Sequence, residues 1–382
     1  MKKKLVKYLA LIACTLALMA QREEEPIQEE RLRLIFAGDI MVHAAQLKAA
    51  QNPADTNTYS FHKSFEYVRP LLQSADLAIG NLELTMPGEL PYQGYPLFRC
   101  PEELSAALRV AGFDLLMTAN NHCNDSAAPG VLNTIEVLNE TGFYHTGTFQ
   151  SREEKEAYYP LIVYKKGFKL AFLNYTYDTN GIPTRVPSMV NEIDSVAISE
   201  DMRTAREMQP DAIIVMMHWG SEYHLTENKA QEKLTRQLLS EGADLIVGAH
   251  PHVVQPAKWL KNTTTGKPAL VAYSLGNFIS GQMKPHTDGG ILLEVELLKK
   301  AGHTTLEEAA FAPLWRHIEY PPAGKRVYRV LPIAAFEHEA FANIRFTEAD
   351  RAAMQRYAQQ TRSRVGLPEL PIDFDFLTQA PQ

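Results

Sequence analysis

The chain has 382 residues, of which 45% are hydrophobic and 22% charged, with a formal net charge of −7. This length and mix suit one large α/β domain or a domain with an extension, and exclude disordered or collagen-like classes. The acidic balance excludes bulk attraction to nucleic acid or anionic lipid, while leaving room for a small positive pocket around an anionic ligand.

In chain order, the first segment reads as a targeting signal. Lys2, Lys3, Lys4 and Lys7 form a basic start, Leu9–Ala20 is apolar, and Gln21-Arg22-Glu23-Glu24-Glu25-Pro26 ends it. The apolar run has signal-peptide length and is short for a bilayer span. Residues 1–20 are therefore read as a signal peptide or lipoprotein signal. The expected location is exported: the bacterial cell envelope, periplasmic or surface. Leu11-Ile12-Ala13-Cys14 resembles a lipobox, which would leave a lipid anchor on Cys14 as the one membrane attachment; cleavage after Ala20 is the alternative. Export also permits a disulfide between Cys100 and Cys123, whose geometry the sequence leaves open.

Residues 21–31 read as a charged linker, 32–305 as the main domain and 306–382 as a C-terminal extension packed on it. Leu32–Ala37 is the first strand. Phe61–Leu72 is helix-like, Leu77–Ile79 a strand, Glu102–Val110 a helix, Asp114–Thr118 a strand, and Gly130–Glu140 a helix closed by Gly142. That alternation predicts a largely parallel sheet with crossover helices. Tyr159–Tyr164 and Lys169–Tyr175 flank a hairpin-like turn, and the stretch around Gly181–Pro187 is a loop. Alternation resumes with helix Asp201–Met208, strand Ala212–Met217, helix Glu227–Leu239 and strands Leu245–Val247, Ala269–Tyr273 and Ile291–Leu297. Further strands and a helix near Thr347–Thr361 follow.

Several of these strands end abruptly in polar residues. The first ends at Gly38-Asp39, the second at Gly80-Asn81-Leu82-Glu83, and the third at Asn120-Asn121-His122 with Asp125 nearby. Strand Ala212–Met217 ends at His218-Trp219-Gly220, followed by Glu222 and Tyr223. Leu245–Val247 ends at Gly248-Ala249-His250-Pro251-His252. In open α/β sheets, ligands bind outside the carboxyl ends of the strands. Taken singly, each feature reads as a turn, a cap or a core histidine. Together they bring carboxylate, amide and imidazole donors to one edge, a set suited to divalent zinc, manganese, iron or magnesium. The His-x-His pair adds to this, because alternate residues of an extended chain share one side. One or two such ions polarise a substrate oxygen and generate hydroxide near neutral pH.

In this ordered set the chain resembles the CapA-type family, named for poly-γ-glutamate capsule synthesis. The carrying stretches are Phe36–Met41, Gly80–Glu83, Ala119–His122 with Asp125, His218–Tyr223, Gly248–Pro256 and Tyr273–Phe278. The resemblance implies kinship with calcineurin-like metallophosphoesterases and hence a layered α/β sandwich. It implies Asp39 as first-strand metal ligand, Glu83 or Asn81 in place of a bridging Asp, and Asn121 as an amide ligand. His218, His250 and His252 would complete the shell. His122, with Asp125, would be the catalytic pair that protonates the leaving group. Relatives carry Asp-x-His after the first strand. Here Met41 takes that His position, with His43 nearby at a different spacing, which leaves the count at one or two ions.

Arg99, in the family-typical Tyr95–Pro101, is a candidate for binding a substrate carboxylate or phosphate. Glu222 and Tyr223 would orient His218 or contact substrate, and Asn277 lies in a Ser-Leu-Gly-Asn-Phe turn near the metal edge. Two functions compete. One is a cell-envelope, metal-dependent hydrolase of a phosphoester or of an acidic polymer such as poly-γ-glutamate. The other is a non-catalytic metal- or polymer-binding component of the capsule synthesis or export machinery.

Overall fold

In a computed structural model of the chain, residues 29–89, 91–322, 324–337 and 344–372 are described. The segment read as a targeting signal, Cys14 and most of the expected linker lie outside them. In chain order the strands are β1 (Glu29–Ile40), β2 (Leu77–Leu82), β3 (Leu115–Met117), β4 (Tyr144–Thr146), β5 (Thr148–Phe149), β6 (Leu161–Lys165), β7 (Phe168–Thr176) and β8 (Met189–Val190). They continue as β9 (Ala212–His218), β10 (Leu245–Ala249), β11 (Ala257–Lys261), β12 (Pro268–Ala272), β13 (Asn277–Ile279), β14 (Gly289–Lys300), β15 (His303–Glu319) and β16 (Val327–Pro332).

Where alternation predicts one largely parallel sheet, the chain builds two mixed sheets. The larger runs β16-β15-β14-β1-β2-β3-β4, with β13 also on β1; the smaller runs β11-β12-β10-β9-β7-β6. The parallel centres, β1-β2-β3-β4 and β12-β10-β9-β7, follow the crossover pattern. The flanks are antiparallel because they are joined by tight turns: Lys166-Gly167 between β6 and β7, and Ala301-Gly302 between β14 and β15, all at positive φ. The hairpin expected between β6 and β7 is present, whereas the one between β14 and β15 is not anticipated by a crossover reading.

The two sheets pack face to face. Along β1, Leu32, Leu34 and Phe36 enter the core between the sheets, while Ile35 and Ala37 point to the opposite face, under the helices. Along β9, Ile214 and Met216 face the other sheet and Ile213, Val215 and Met217 face the helices Ser195–Glu207 and Lys229–Ser240. Both faces of each sheet are thus buried, which gives near-continuous apolar strands and a four-layer α/β/β/α sandwich.

Several sequence boundaries shift; the helix expected over Asp201–Met208 already starts at Ser195, where the Asp194 side chain caps it. β1 begins at Glu29, because Arg31 and Lys300 form ion pairs with Glu296 and Glu29 across β1 and β14 and extend the ladder into charged residues. The helix expected over Phe61–Leu72 is two short ones, His62–Phe65 and Arg69–Gln73. Pro70 has no N–H to continue a single helix. After residue 306, β15 and β16 add to the edge of the larger sheet and helix Glu348–Val365 packs against β15. The segment beyond that helix is tied down by Phe311 N–H to Pro368 O and Leu370 N–H to Phe311 O. Among the described residues, no helix is long and apolar enough to cross a membrane.

Two glycines let the strand ends close on one another. A Cβ on Gly38 would lie 1.9 Å from the Gly276 carbonyl oxygen, and one on Gly248 would lie 1.9 Å from that of Tyr273. Both obstacles are backbone and cannot swing aside. Gly38→Ala is therefore expected to lower stability by about 1–3 kcal/mol, the usual range for overpacking, read from the urea midpoint. An unchanged midpoint would show that β1 and the Ser274–Asn277 turn are not in contact.

Candidate metal centre

β1 delivers Asp39, β2 Asn81 and Glu83, β3 the turn Asn120–Asp125, β9 His218, and the loop after β10 His250 and His252. All are buried. They meet at one sheet edge because β1, β2 and β3 are parallel in one sheet and β9 and β10 in the other. Asp39 Oδ2 lies 2.9 Å from His252 Nδ1, and Asn81 Nδ2 donates to Asp39 Oδ1 at 2.8 Å. The ring nitrogens of His218 lie 3.3 Å from Asn81 Nδ2 and 2.8 Å from Asn121 Oδ1. Glu83 Oε1 lies 3.7 Å from His218 Nε2 and 3.8 Å from His252 Nε2.

Two overlapping triads have their donor atoms within 4.8 Å of one another: Glu83, His250 and His252, and Asp39, Glu83 and His218. Glu83 belongs to both. Its two carboxylate oxygens are buried with no hydrogen-bond partner, and so is His250 Nδ1. Buried polar atoms ordinarily find partners, and leaving a charged one without any is costly. A divalent cation fits this donor set: it would take up the orphaned atoms that no side chain here satisfies.

The electrostatics agree. Burial, then the Asp39 carboxylate, push Glu83 well above the ordinary carboxylate range. Burial and neighbouring imidazoles push His218 well below the usual histidine value and His250 down to about 3. Those two rings are neutral at pH 7, the form that ligates a metal.

The His-x-His pair reaches the site by a different route from the one its spacing implies. β10 ends at Ala249, and His250 and His252 have φ of 97° and 59°. Left-handed backbone at non-glycine residues is uncommon and clusters at functional sites. The rings converge at a centroid distance of 5.8 Å through that loop, not through strand alternation.

His122 and Asp125 form a second unit beside the triads. His122 Nδ1 lies 2.7 Å from Asp125 Oδ2, and the imidazole packs edge-on to Phe98 at 4.6 Å. Asp125 Oδ2 also accepts from the Phe98 backbone N–H. Burial raises the Asp125 pKa, with the His122 contact opposing it.

The remaining sequence candidates divide. Asn277 is buried and pairs with Asp39 across β1 and β13, while its amide donates to Gln282 Oε1 and Thr287 O. Tyr223, at φ 66°, lies with its ring 6.0 Å from that of His252. Glu222 is exposed, close enough for its charge to raise Glu83. Arg99 makes backbone bridges to Thr85 and Gln93, but its side chain forms no described contact with the triads. Met41 is in the helix-side core, so β1 offers Asp39 as its single metal-type ligand. His43 Nδ1 accepts instead from Gly281 N–H at 3.1 Å. Cys100 and Cys123 are free and buried; no disulfide joins them, and burial raises Cys123 to about 12.

Sequence reasoning missed Tyr177 and Asn180. The Tyr177 ring lies 4.4 Å from that of His250, and Asn180 reaches both Asn121 Nδ2 at 3.2 Å and His122 Nδ1 at 3.4 Å. The signal was present: β7, like the other central strands, ends in polar residues, Thr176 and Tyr177.

Known proteins resemble this chain. The family model described as bacterial capsule synthesis protein PGA_cap matches residues 33–282. The capsule biosynthesis protein CapA of Bacillus anthracis is 28% identical over 78% of this chain and 74% of its own length. The PGA biosynthesis protein CapA of Bacillus subtilis is 28% identical over 71% of this chain and 69% of its own. Among solved structures, the calcineurin-like phosphoesterase YfkN from Bacillus subtilis is similar at a TM-score of 0.46 and 14% identity. That match covers 88% of this chain and 99% of YfkN, but a likeness this distant carries no argument about chemistry.

Proposed function

The chain belongs to the bacterial capsule synthesis family PGA_cap, and we propose that it is a cell-envelope, metal-dependent hydrolase in capsule-polymer synthesis or processing. Its substrate is a phosphoester or an acidic polymer of the poly-γ-glutamate type. The observation that supports this best is Glu83: a carboxylate buried without a hydrogen bond, among His218, His250 and His252.

Asp39, Glu83, His218, His250 and His252 would hold a zinc, manganese, iron or magnesium ion, with Asn81 and Asn121 offering amide oxygens when turned toward it. Such an ion supplies Lewis-acid polarisation of a substrate oxygen and lowers the pKa of water. The chain's own groups do the rest. Asp125 occupies His122 Nδ1, which fixes the ring and leaves Nε2 to give a proton to the departing oxygen or nitrogen. Phe98 and Asn180 limit the ring's rotation. The buried position of His122 keeps bulk water from competing for that proton. Glu222 and Tyr223 are assigned to the substrate rim; Asn277, buried and bonded to Gln282 and Thr287, supports the loop behind it, and Arg99 has no described contact with the triads.

Adding zinc or manganese to chelator-treated protein is the test of the site. A ligand at 100 times its dissociation constant stabilises by about 2.7 kcal/mol, so the melting temperature should rise by several degrees. Phosphoesters and γ-glutamyl peptides screened on the metal-loaded protein test the activity. No thermal shift with any of the four metals would count against the site; a shift without turnover on any substrate would favour the binding-component reading.

A further inference from the structure

We propose that a cleft beside the metal centre is an oxyanion subsite built around Arg316, which takes a carboxylate or phosphate group of an anionic ligand. The cleft has a volume of about 450 Å³ and is lined in part by Lys284, His286, Trp315, Arg316 and Tyr320. Arg316, on β15, is only 6% exposed. Its hydrogen bonds are from Nη2 to the Gln282 carbonyl at 2.9 Å and to Met283 Sδ at 3.7 Å, while Nε is buried without an acceptor.

No carboxylate among the described residues lies within ion-pair distance of Arg316. Two acids line the same cleft and are otherwise engaged. Asp288 accepts from Trp315 Nε1 at 3.2 Å, and Asp350 accepts from Thr347 at the start of helix Glu348–Val365. A guanidinium taken out of water is ordinarily paired, and its planar fork matches the two oxygens of a carboxylate or phosphate. An incoming anion completes the pairing.

The loop Ser280–Asp288 links the cleft to the metal centre. Gln282, whose carbonyl Arg316 holds, accepts from Asn277 Nδ2. Lys284 places its ammonium 3.7 Å from the centre of the Tyr223 ring, which faces His252. A ligand with regularly spaced anionic groups can therefore engage Lys284 and Arg316 with one part while another lies at the triads. Arg316 is outside the residues matched by the family model. The subsite's role as a second grip on substrate rests on the hydrolase reading, but anion binding at it does not.

Calorimetry on the full chain, stripped of metal with a chelator and then dialysed free of it, separates the two. Tetraglutamate, inorganic phosphate and neutral tetraglutamine are titrated into wild type, Arg316→Met and Lys284→Met. Tetraglutamate or phosphate should bind wild type, identifying the oxyanion source, and tetraglutamine should not. Arg316→Met should weaken that binding at least about tenfold, the scale of a lost hydrogen bond to a charged group, and Lys284→Met less. The Arg316→Met melting temperature should equal or exceed wild type, since a buried charge with no ion-pair partner, offset only by the nearby Asp288 carboxylate, is removed. Equal affinity in Arg316→Met, or no anion binding by the metal-free protein, would overturn the subsite. A melting temperature well below wild type would also overturn it, marking Arg316 as a structural clamp on the Gln282 carbonyl. Anion binding retained in a protein that takes up no metal would leave the subsite standing and sink the hydrolase reading alone.

Discussion

Replacing His122 by asparagine is expected to cut turnover by roughly 10²–10⁴-fold, the range for losing general acid–base help, with metal content unchanged. The expectation comes from how the residue is held. His122 is buried, its Nδ1 is committed to Asp125 at 2.7 Å, and its ring edge packs on Phe98. It belongs to neither ligand triad. Asparagine keeps a polar group of similar reach but has no titratable nitrogen near neutral pH. Asp125→Asn should fall in the same direction by a smaller factor, because the ring stays and only its orientation loosens. Full activity in His122→Asn would remove His122 from the chemistry. Loss of metal from it would make the imidazole a ligand instead.

The double substitution of His250 and His252 by alanine is expected to remove most bound metal while the sheets stay folded. One triad loses two of its three members, and Glu83 keeps only His218 and Asp39 beside it. Both histidines lie after the end of β10, in left-handed backbone, and neither belongs to the hydrophobic cores. Removing them uncovers only the ring faces of Tyr177 and Tyr223 beside them. Alanine tolerates positive φ poorly, so a moderate drop in melting temperature is expected as well. Circular dichroism with elemental analysis reads both. Native spectra with full metal content would locate the ion elsewhere.

The sequence shows the site more plainly than the sheets that present it. Asp39, Glu83, His122, His218 and His250 each interrupt an apolar run at a strand end, and a polar interruption at that position is visible without coordinates. The two-sheet arrangement is hidden, because strands buried on both faces look alike whichever sheet they join. The apolar runs Leu34–Ala37 of β1 and Ala212–Met217 of β9 look alike and join different sheets. Tyr177 and Asn180 escape because β7 is entered through a hairpin with β6, which draws attention from its far end. The route of the His-x-His pair is also invisible: the spacing is compatible with an extended chain, and the left-handed turns are set by packing against Asp39 and Tyr177. Arg316 stands alone in its segment, with nothing in its neighbours to mark it, since its meaning depends on what is absent around it in space.

If this sheet edge holds a metal ion that serves hydrolysis, metal content and turnover rise and fall together. Metal per chain and the rate of hydrolysis of a phosphoester or γ-glutamyl substrate are determined on one preparation, before and after chelation and after metal is restored. One or two divalent ions per chain are expected, with turnover that disappears on chelation and recovery of both together. A folded chain that holds no zinc, manganese, iron or magnesium, or one whose turnover is indifferent to chelation, would contradict this expectation.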